Sequence, residues 1–304
     1  LRIKSLCFIF KDMSGIDRLN IDELRTNFGP FQKKRNFFVV PEHTRKFSLK
    51  EPYRTQTYGL SLVTGGRTVL VADLTSYEVT PPSLIAMGPE IIRQWKEGGN
   101  GTQNTALFFT KDFFVKDLKN IDYLKRFPFF GTSGTHNFPI TKKQELHLRL
   151  LFSIIADRQD RNTAHSNDAI RSYISALLHE VADIYESVIH KTSVSITNGH
   201  RILRNFKDLL AKHFRTERSV QFYADQLFIN PKYLSQVVKE ESGKSPSDWV
   251  NEMVMLEAKV LLQNVDLNIS EVARELHFSD ASFFGKFFKR HEGRSPKAFR
   301  ASLA

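Results

Sequence analysis

Read for apolar and polar positions alone, the chain changes period once. Up to about Phe130 the apolar residues come in short runs rich in β-branched and aromatic types. From Thr141 onward they recur every three or four residues, as one face of a helix does. Tyr58–Val63 and Arg67–Leu74 are β-forming stretches on either side of Thr64-Gly65-Gly66, a pattern that predicts a hairpin. Leu84–Met87 and Ala106–Phe109 predict further strands, with Pro81-Pro82, Gly88-Pro89 and Gly98–Gly101 as breaks. Short strands so punctuated point to a sandwich or small barrel. Alternate residues of such a barrel face inward, so Leu62, Val69, Val71 and Phe108 are candidates for lining a pocket, although core packing is the more ordinary role of each.

In the helical part, Leu148, Leu151, Phe152 and Ile155 form one stripe. A longer stripe runs through Ile170, Tyr173, Ile174, Leu177, Leu178, Val181, Ile184, Tyr185 and Val188 and approaches a heptad seam. Two readings stand side by side: a dimerisation helix, or a helix packed on the chain's own barrel. Lys191–Gly199, with Thr, Ser and Asn-Gly, has the composition of a linker.

The strongest pattern is internal repetition. Lys232–Val250 laid over Ser282–Arg300, a shift of fifty, puts Tyr233 on Phe283, Leu234 on Phe284, Val237 on Phe287 and Val238 on Phe288. The same shift puts Gly243 on Gly293 and Ser245-Pro246 on Ser295-Pro296. Just upstream, a shift of forty-nine lays Val220, Tyr223, Ala224 and Leu227 on Ile269, Val272, Ala273 and Leu276. Each copy reads as helix, turn, helix. Ser219 and Asn268 are the expected N-caps of the first helices, with Glu271 completing a capping box, and Asn230-Pro231 opens a second helix. Gly243 and Gly293 close the second helices as C′ glycines. Small Ala224 and Ala273 let the two helices of each unit cross closely, which makes each unit a helix-turn-helix. A first helix at Arg201–Phe214 precedes them, and Pro246–Gln263 predicts a connecting helix on the order of 25 Å long. That spacer suits two units on successive major-groove faces, about 34 Å apart.

The second helices, about 231–241 and 281–291, have two faces. Leu234, Val237 and Val238 point inward in one, Phe284, Phe287 and Phe288 in the other. Outward lie Lys232, Ser235, Gln236 and Lys239, matched by Ser282, Gly285, Lys286 and Lys289. Gln bonds adenine bidentately, Lys reaches guanine and Ser suits several bases, so these are the side chains a major-groove reader uses. A solvated helix face has the same composition. Two such faces at corresponding positions of a repeat favour reading over solvation.

The stretch ISEVARELHFSDASFFGKFFKRHEGRSPKAFR closely resembles the carboxyl-terminal signature of the AraC/XylS family of bacterial transcription regulators, and the upstream unit resembles that family's first helix-turn-helix. The resemblance covers about the last hundred residues. It implies two helix-turn-helix units joined by a helix, binding of promoter DNA, and usually activation of transcription. By position it implies base contacts from Lys232, Ser235 and Gln236 and from Ser282, Phe283 and Lys286, with Lys239, Lys289 and Arg290 on phosphates. It also implies a cupin-like sensor barrel ahead of the DNA-binding part, for which YGLSLVTGG and LFFTKDFF are only generic motifs. Phe228 and His277 depart from the family, which has glycine in those turns.

Composition agrees without deciding. The 304 residues carry a formal net charge of +11 and a pI near 9.6, which suits a polyanionic partner. The charge is spread: from His200 onward the net is +4, against +7 for the remainder. Only the final stretch is lopsided, with Lys286, Lys289, Arg290, Arg294, Lys297 and Arg300 against Glu292. Cys7 is the one cysteine, so neither an intrachain disulfide nor a thiolate metal cluster is expected, in keeping with a reducing cytoplasm. The apolar run Leu6–Phe10 is too short for a signal core or a membrane span, and the chain begins with Leu1 rather than Met.

Enzyme motifs fail on inspection. Ser242–Ser245 reads SGKS, but a phosphate loop needs its first glycine where Val238 stands. His179-Glu180 and His291-Glu292 lack a second histidine, since Asp183 and Ser295 occupy its place. His43, His136 and His147 are scattered and form no His-x-His pair. A repair methyltransferase on such a DNA-binding domain needs several cysteines. The expectation is therefore an α+β chain: residues 1–190 a cupin-like barrel with flanking helices that senses a ligand and dimerises, 191–199 a linker, and 200–304 an all-α domain with two helix-turn-helix units. It is expected to regulate transcription in the cytoplasm, without catalysis, cofactor or metal. Its expected partners are promoter DNA, a small-molecule effector, a second copy of itself and RNA polymerase. The alternative is a cupin-type enzyme carrying a DNA-binding module.

Overall fold

The structure, a computed structural model, describes residues 19–28, 35–44, 51–96, 102–116, 122–132, 134–161, 163–193 and 197–303. Cys7, the run Leu6–Phe10, the break Gly98–Gly101 and the His43 side chain lie outside the described residues. In chain order the first elements are α1 (Ile21–Phe28), β1 (Phe37–Thr44), β2 (Thr57–Gly65), β3 (Thr68–Ala72), β4 (Thr75–Val79), β5 (Ser83–Met87), β6 (Arg93–Lys96), β7 (Gln103–Thr110), α2 (Lys111–Val115) and β8 (Asn137–Pro139). They form two antiparallel sheets rather than one closed barrel: β1-β7-β2-β5-β8 and β4-β3-β6. A cupin-like strand-rich half is therefore present, with its hydrogen bonding divided between two layers.

The hairpin expected across Thr64-Gly65-Gly66 does not form. β2 is paired on both edges, Leu60 facing Ala86 of β5 on one side and Leu107 of β7 on the other, so it has no edge left for β3. The turn instead carries the chain from the large sheet to the small one, with Gly66 at φ +77°, where a side chain would be strained. β3 pairs with β4 and β6.

Period-two alternation gives the large sheet two apolar faces. Phe37, Val39, Leu60, Leu62, Leu84 and Leu107 turn toward helices α3 (Lys142–Gln159) and α4 (Ser166–Ser193). Val63, Ile85 and Met87 turn the other way and meet Leu70, Ala72 and Val79 of the small sheet. β5, buried at every position, is the strand covered on both faces. Helices, large sheet and small sheet thus make three layers. The four pocket-lining candidates do not converge on one face: Leu62 packs toward the helices, Phe108 stacks on Phe38 with ring centroids 5.1 Å apart, and Val69 and Val71 alternate with the buried Leu70 and Ala72 on β3.

Helix α3 starts where the period changes, with Thr141 and Gln144 forming a capping box. The seam of α4 is buried in the chain's own core: Ile170, Ile174, Leu177, Leu178 and Val181 are fully covered by the sheet and α3. Of the two readings of that seam, packing is the one seen. On α3, Leu146 and Leu150 are left outside, 59% and 56% exposed.

The remaining helices are α5 (Asn198–His213), α6 (Val220–Gln226), α7 (Pro231–Ser242), α8 (Pro246–Gln263), α9 (Ile269–Glu275), α10 (Ala281–Glu292) and α11 (Pro296–Ala301). Two clusters organise them: one around Phe206, Tyr223, Leu234, Val238 and Val254, the other around Leu262, Val272, Phe284, Phe288 and Phe299. Helix α8 contributes to both. The helical part also touches the strands. Ile92 is buried in the first helical cluster, Gln263 Nε2 donates to the Pro52 carbonyl at 2.6 Å, and Arg54 Nη1 pairs with Glu257 Oε2 at 2.5 Å. Among the described residues no helix is long and apolar enough to cross a membrane.

Candidate nucleic-acid interface

Each unit is built by local caps that are visible in its residues. Ser219 accepts from the Gln221 amide at 3.2 Å at the start of α6, and Asn230 from the Lys232 amide at 2.8 Å at the start of α7. In the second unit Asn268 accepts from the Glu271 amide at 2.9 Å, and Glu271 Oε2 accepts from the Asn268 amide at 2.7 Å. Asp280 caps α10, accepting from the amides of Ser282 and Phe283 at 2.7 and 2.9 Å. These caps satisfy amides that a helix start leaves unpaired. Gly243 and Gly293 end α7 and α10 at φ +74° and +79°. A Cβ there would meet no neighbour, so the backbone angle alone selects glycine.

The turns inside the units reach the same left-handed region without glycine. Phe228 sits at φ +55° and His277 at φ +52°. Their amides bond back to Asp225 and Arg274, which keeps both turns tight despite bulky side chains. Phe228 gains nothing by burial, since it is 95% exposed.

Leu234, Val237 and Val238 of α7 are buried, as are Phe284 and Phe288 of α10. Phe287 departs from the inward stripe: it is half-buried, 5.2 Å from the Phe278 ring and 4.6 Å from the His291 ring. On the opposite face Lys232, Gln236 and Lys239 are exposed and Ser235 is half-buried. On α10, Ser282, Phe283, Lys286, Lys289 and Arg290 are all exposed. Gln236 Nε2 donates to Glu240 one turn on, at 2.9 Å, which orients the amide along the helix surface.

One residue that joins the units had no local signal. Arg218, just before α6, donates to the Leu276 carbonyl at the end of α9 and lays its guanidinium 3.8 Å from the Phe278 ring centroid. It lines an open cleft of about 570 Å³ with His277, Phe283, Lys286, Phe287 and Arg290. Burial holds the Arg218 pKa below its usual range, yet a guanidinium stays charged at neutral pH. The second unit is further tied to α8: Lys259 Nζ pairs with Glu292 at 2.6 Å, and Arg300 Nε donates to the Leu262 carbonyl at 3.0 Å.

A family profile described as a helix-turn-helix domain matches residues 223–302, from within α6 to the end of α11, and so takes in most of the first unit and all of the second. The carboxyl-terminal region is a helix-turn-helix domain, similar to those of the AraC/XylS family. Among curated proteins, an uncharacterised HTH-type transcriptional regulator of Escherichia coli, YijO, is 25% identical over 130 residues, 43% of this chain and 44% of its own. The regulatory protein PocR of Salmonella typhimurium is 27% identical over 118 residues, 39% of each chain. The chain thus spans less than half the length of these relatives. Apo ToxT from Vibrio cholerae aligns with 90% of this chain and 100% of its own at 15% identity and a TM-score of 0.39. This helix-turn-helix domain presents both outward helix faces predicted from the repeat, with the same residues on them.

Proposed function

We propose that this chain is a sequence-specific, DNA-binding transcription regulator that inserts α7 and α10 into successive major grooves of promoter DNA. The observation that carries this reading is the repeated exposure of polar and cationic side chains on two equivalent helices held by one rigid α8. Lys232, Ser235, Gln236, Ser282, Phe283 and Lys286 read bases, while Lys239, Lys289 and Arg290 hold phosphates. The chain divides at about residues 191–199 into a sensing part and this reading part, works in the cytoplasm without catalysing a reaction, and acts beside RNA polymerase as an activator.

A small-molecule effector is part of the reading. A cavity of about 300 Å³ lies where the two parts meet, lined by Asp73, Tyr77 and His136 on one side and Lys207, Trp249 and Met253 on the other. That is the lower end of the usual size for a small-ligand site. Bound there, an effector touches both parts and biases how they sit together, so by linkage DNA must change effector affinity by the factor that effector changes DNA affinity. A second copy would cover the exposed Leu146 and Leu150 on α3. The test is selection of duplexes from a random pool by the intact chain, with the salt dependence of binding. A recurrent site and a steep salt slope support the reading; binding without sequence preference refutes it. Metabolites that shift thermal stability yet leave operator affinity unchanged would remove the effector part.

A further inference from the structure

Over Lys232–Val250 and Ser282–Arg300 the shift of fifty superposes two pairs of aromatic side chains: Trp249 and Phe299, which are buried, and Tyr233 and Phe283, which are not. Tyr233 and Phe283 are exposed, 42% and 60%, and each is the third residue of its helix. Among the described residues neither ring packs against another ring, and the Tyr233 hydroxyl has no hydrogen-bond partner. The neighbours of each ring are polar or cationic. Lys232 and Gln236 flank Tyr233, and Lys286 Nζ lies 5.7 Å from the Phe283 ring centroid. Neither ring belongs to a core cluster, so core packing does not account for exposed rings repeated at equivalent places among polar neighbours.

We propose that Tyr233 and Phe283 recognise the C5-methyl groups of thymines, one in each half of the DNA site. This rests on the DNA reading proposed above and names one part of what is read. The chemistry is specific: the thymine methyl is the only apolar group that a standard base pair shows in the major groove, and an aromatic side chain is a suitable partner for it. Both residues sit in the first turn of their helices, the part of a recognition helix that meets base edges. The lysine beside each ring reaches a guanine O6/N7 edge or a phosphate, so the apolar contact adds discrimination that the cations lack. The repeat also predicts that the two thymines occupy corresponding positions, about one helical turn apart.

The test uses the intact chain and the duplex it selects from a random pool. Each thymine is replaced in turn by deoxyuridine, which removes the methyl and leaves every hydrogen-bonding group. Burying one methyl corresponds to about a fourfold difference in affinity, so one deoxyuridine in each half should weaken binding about fourfold. In Phe283→Ala the penalty in one half should vanish, in Tyr233→Ala the penalty in the other, and Phe283→Leu should retain it. Equal binding of wild type and variants to unselected DNA at low salt reports that each is folded. Two outcomes overturn the proposal: thymine and deoxyuridine bound alike throughout, or a penalty that survives both alanine variants. A selected site with no methyl dependence refutes this inference alone. A pool that yields no site refutes the DNA reading with it.

Discussion

Arg54 reaches from the strand-rich part to Glu257, in the middle of α8, and closes an ion pair of 2.5 Å with both side chains almost wholly buried. Arg215, on the helical side, pairs with the other carboxylate oxygen. Removing one partner of a buried pair strands the other, which costs about 3–5 kcal/mol. Glu257→Ala, which leaves the buried Arg54 guanidinium without its carboxylate, is expected to lower the stability of the intact chain by roughly that amount in a denaturant titration. A change under about 1 kcal/mol would show that the contact is solvated in practice.

On the DNA reading proposed above, the outward faces of α7 and α10 separate base contacts from backbone contacts. Gln236→Ala or Lys286→Ala should cost about 1–3 kcal/mol on the selected site and relax preference at one or two base pairs. Lys289→Ala should weaken all sequences alike and reduce the salt slope by about one. Unchanged preference in both reading variants, measured by repeating the selection, would mean the assigned faces are wrong.

Left-handed turns give a pair of opposite stability effects. Phe228 holds φ +55° with its ring in solvent, so Phe228→Gly relieves backbone strain and loses no packing. It should stabilise by up to about 1 kcal/mol. Gly293→Ala introduces the strain that Phe228 carries, at φ +79° with free space around it, and should destabilise by about 1 kcal/mol. Thermal unfolding of the two variants checks both signs.

The cavity between the parts holds two groups that titrate in opposite senses. Burial raises the Asp73 pKa to about 6, against the opposing pull of the Ile92 amide and of Arg54 and Arg93. Its contribution to stability is complete below the unfolded value near 4 and is lost as pH rises through about 6. Burial lowers the His136 pKa to about 4, so its contribution is present above the unfolded value near 6.5 and is lost as pH falls toward 4. The two losses oppose each other between about pH 4 and 6. Asp73→Asn removes one of them. The variant should gain stability relative to wild type at pH 7–8 and fall more steeply than wild type below pH 6. Parallel stability profiles for the two proteins would refute the assignment.

What the residues disclose in advance depends on how far apart the interacting partners lie. Asn230-Pro231, the Asn268–Glu271 box and the two C′ glycines act within one helical turn, so α6 through α11 were legible to within a residue or two. The α4 seam was legible as apolar, but an apolar stripe does not say what covers it, and the chain's own sheet does. The same limit misplaced the strands around Thr64-Gly65-Gly66. The turn residues announce a reversal, whereas pairing is settled by β5 and β7, about 20 and 45 residues further along. On the candidate site, every outward residue assigned from the repeat lies on the outward face. Arg218 escaped notice because its partners, Leu276 and Phe278, are about 60 residues away and carry no pattern that points back to it.

Arg218, with the ties from α8 to Glu292 and Arg300, also fixes the two units to each other, so that on the DNA reading proposed above they form a gauge of phase along the duplex. Its two helices cannot adjust independently to a changed distance between half-sites. Five extra base pairs between the halves rotate the second groove by about half a turn, out of reach of α10. Such a duplex would be held through one half only, with the loss expected when two linked contacts are reduced to one. Ten extra base pairs restore the rotation and not the distance, so it would be refused as well. On that reading, spacing becomes a second criterion, independent of base sequence, by which promoters are told apart.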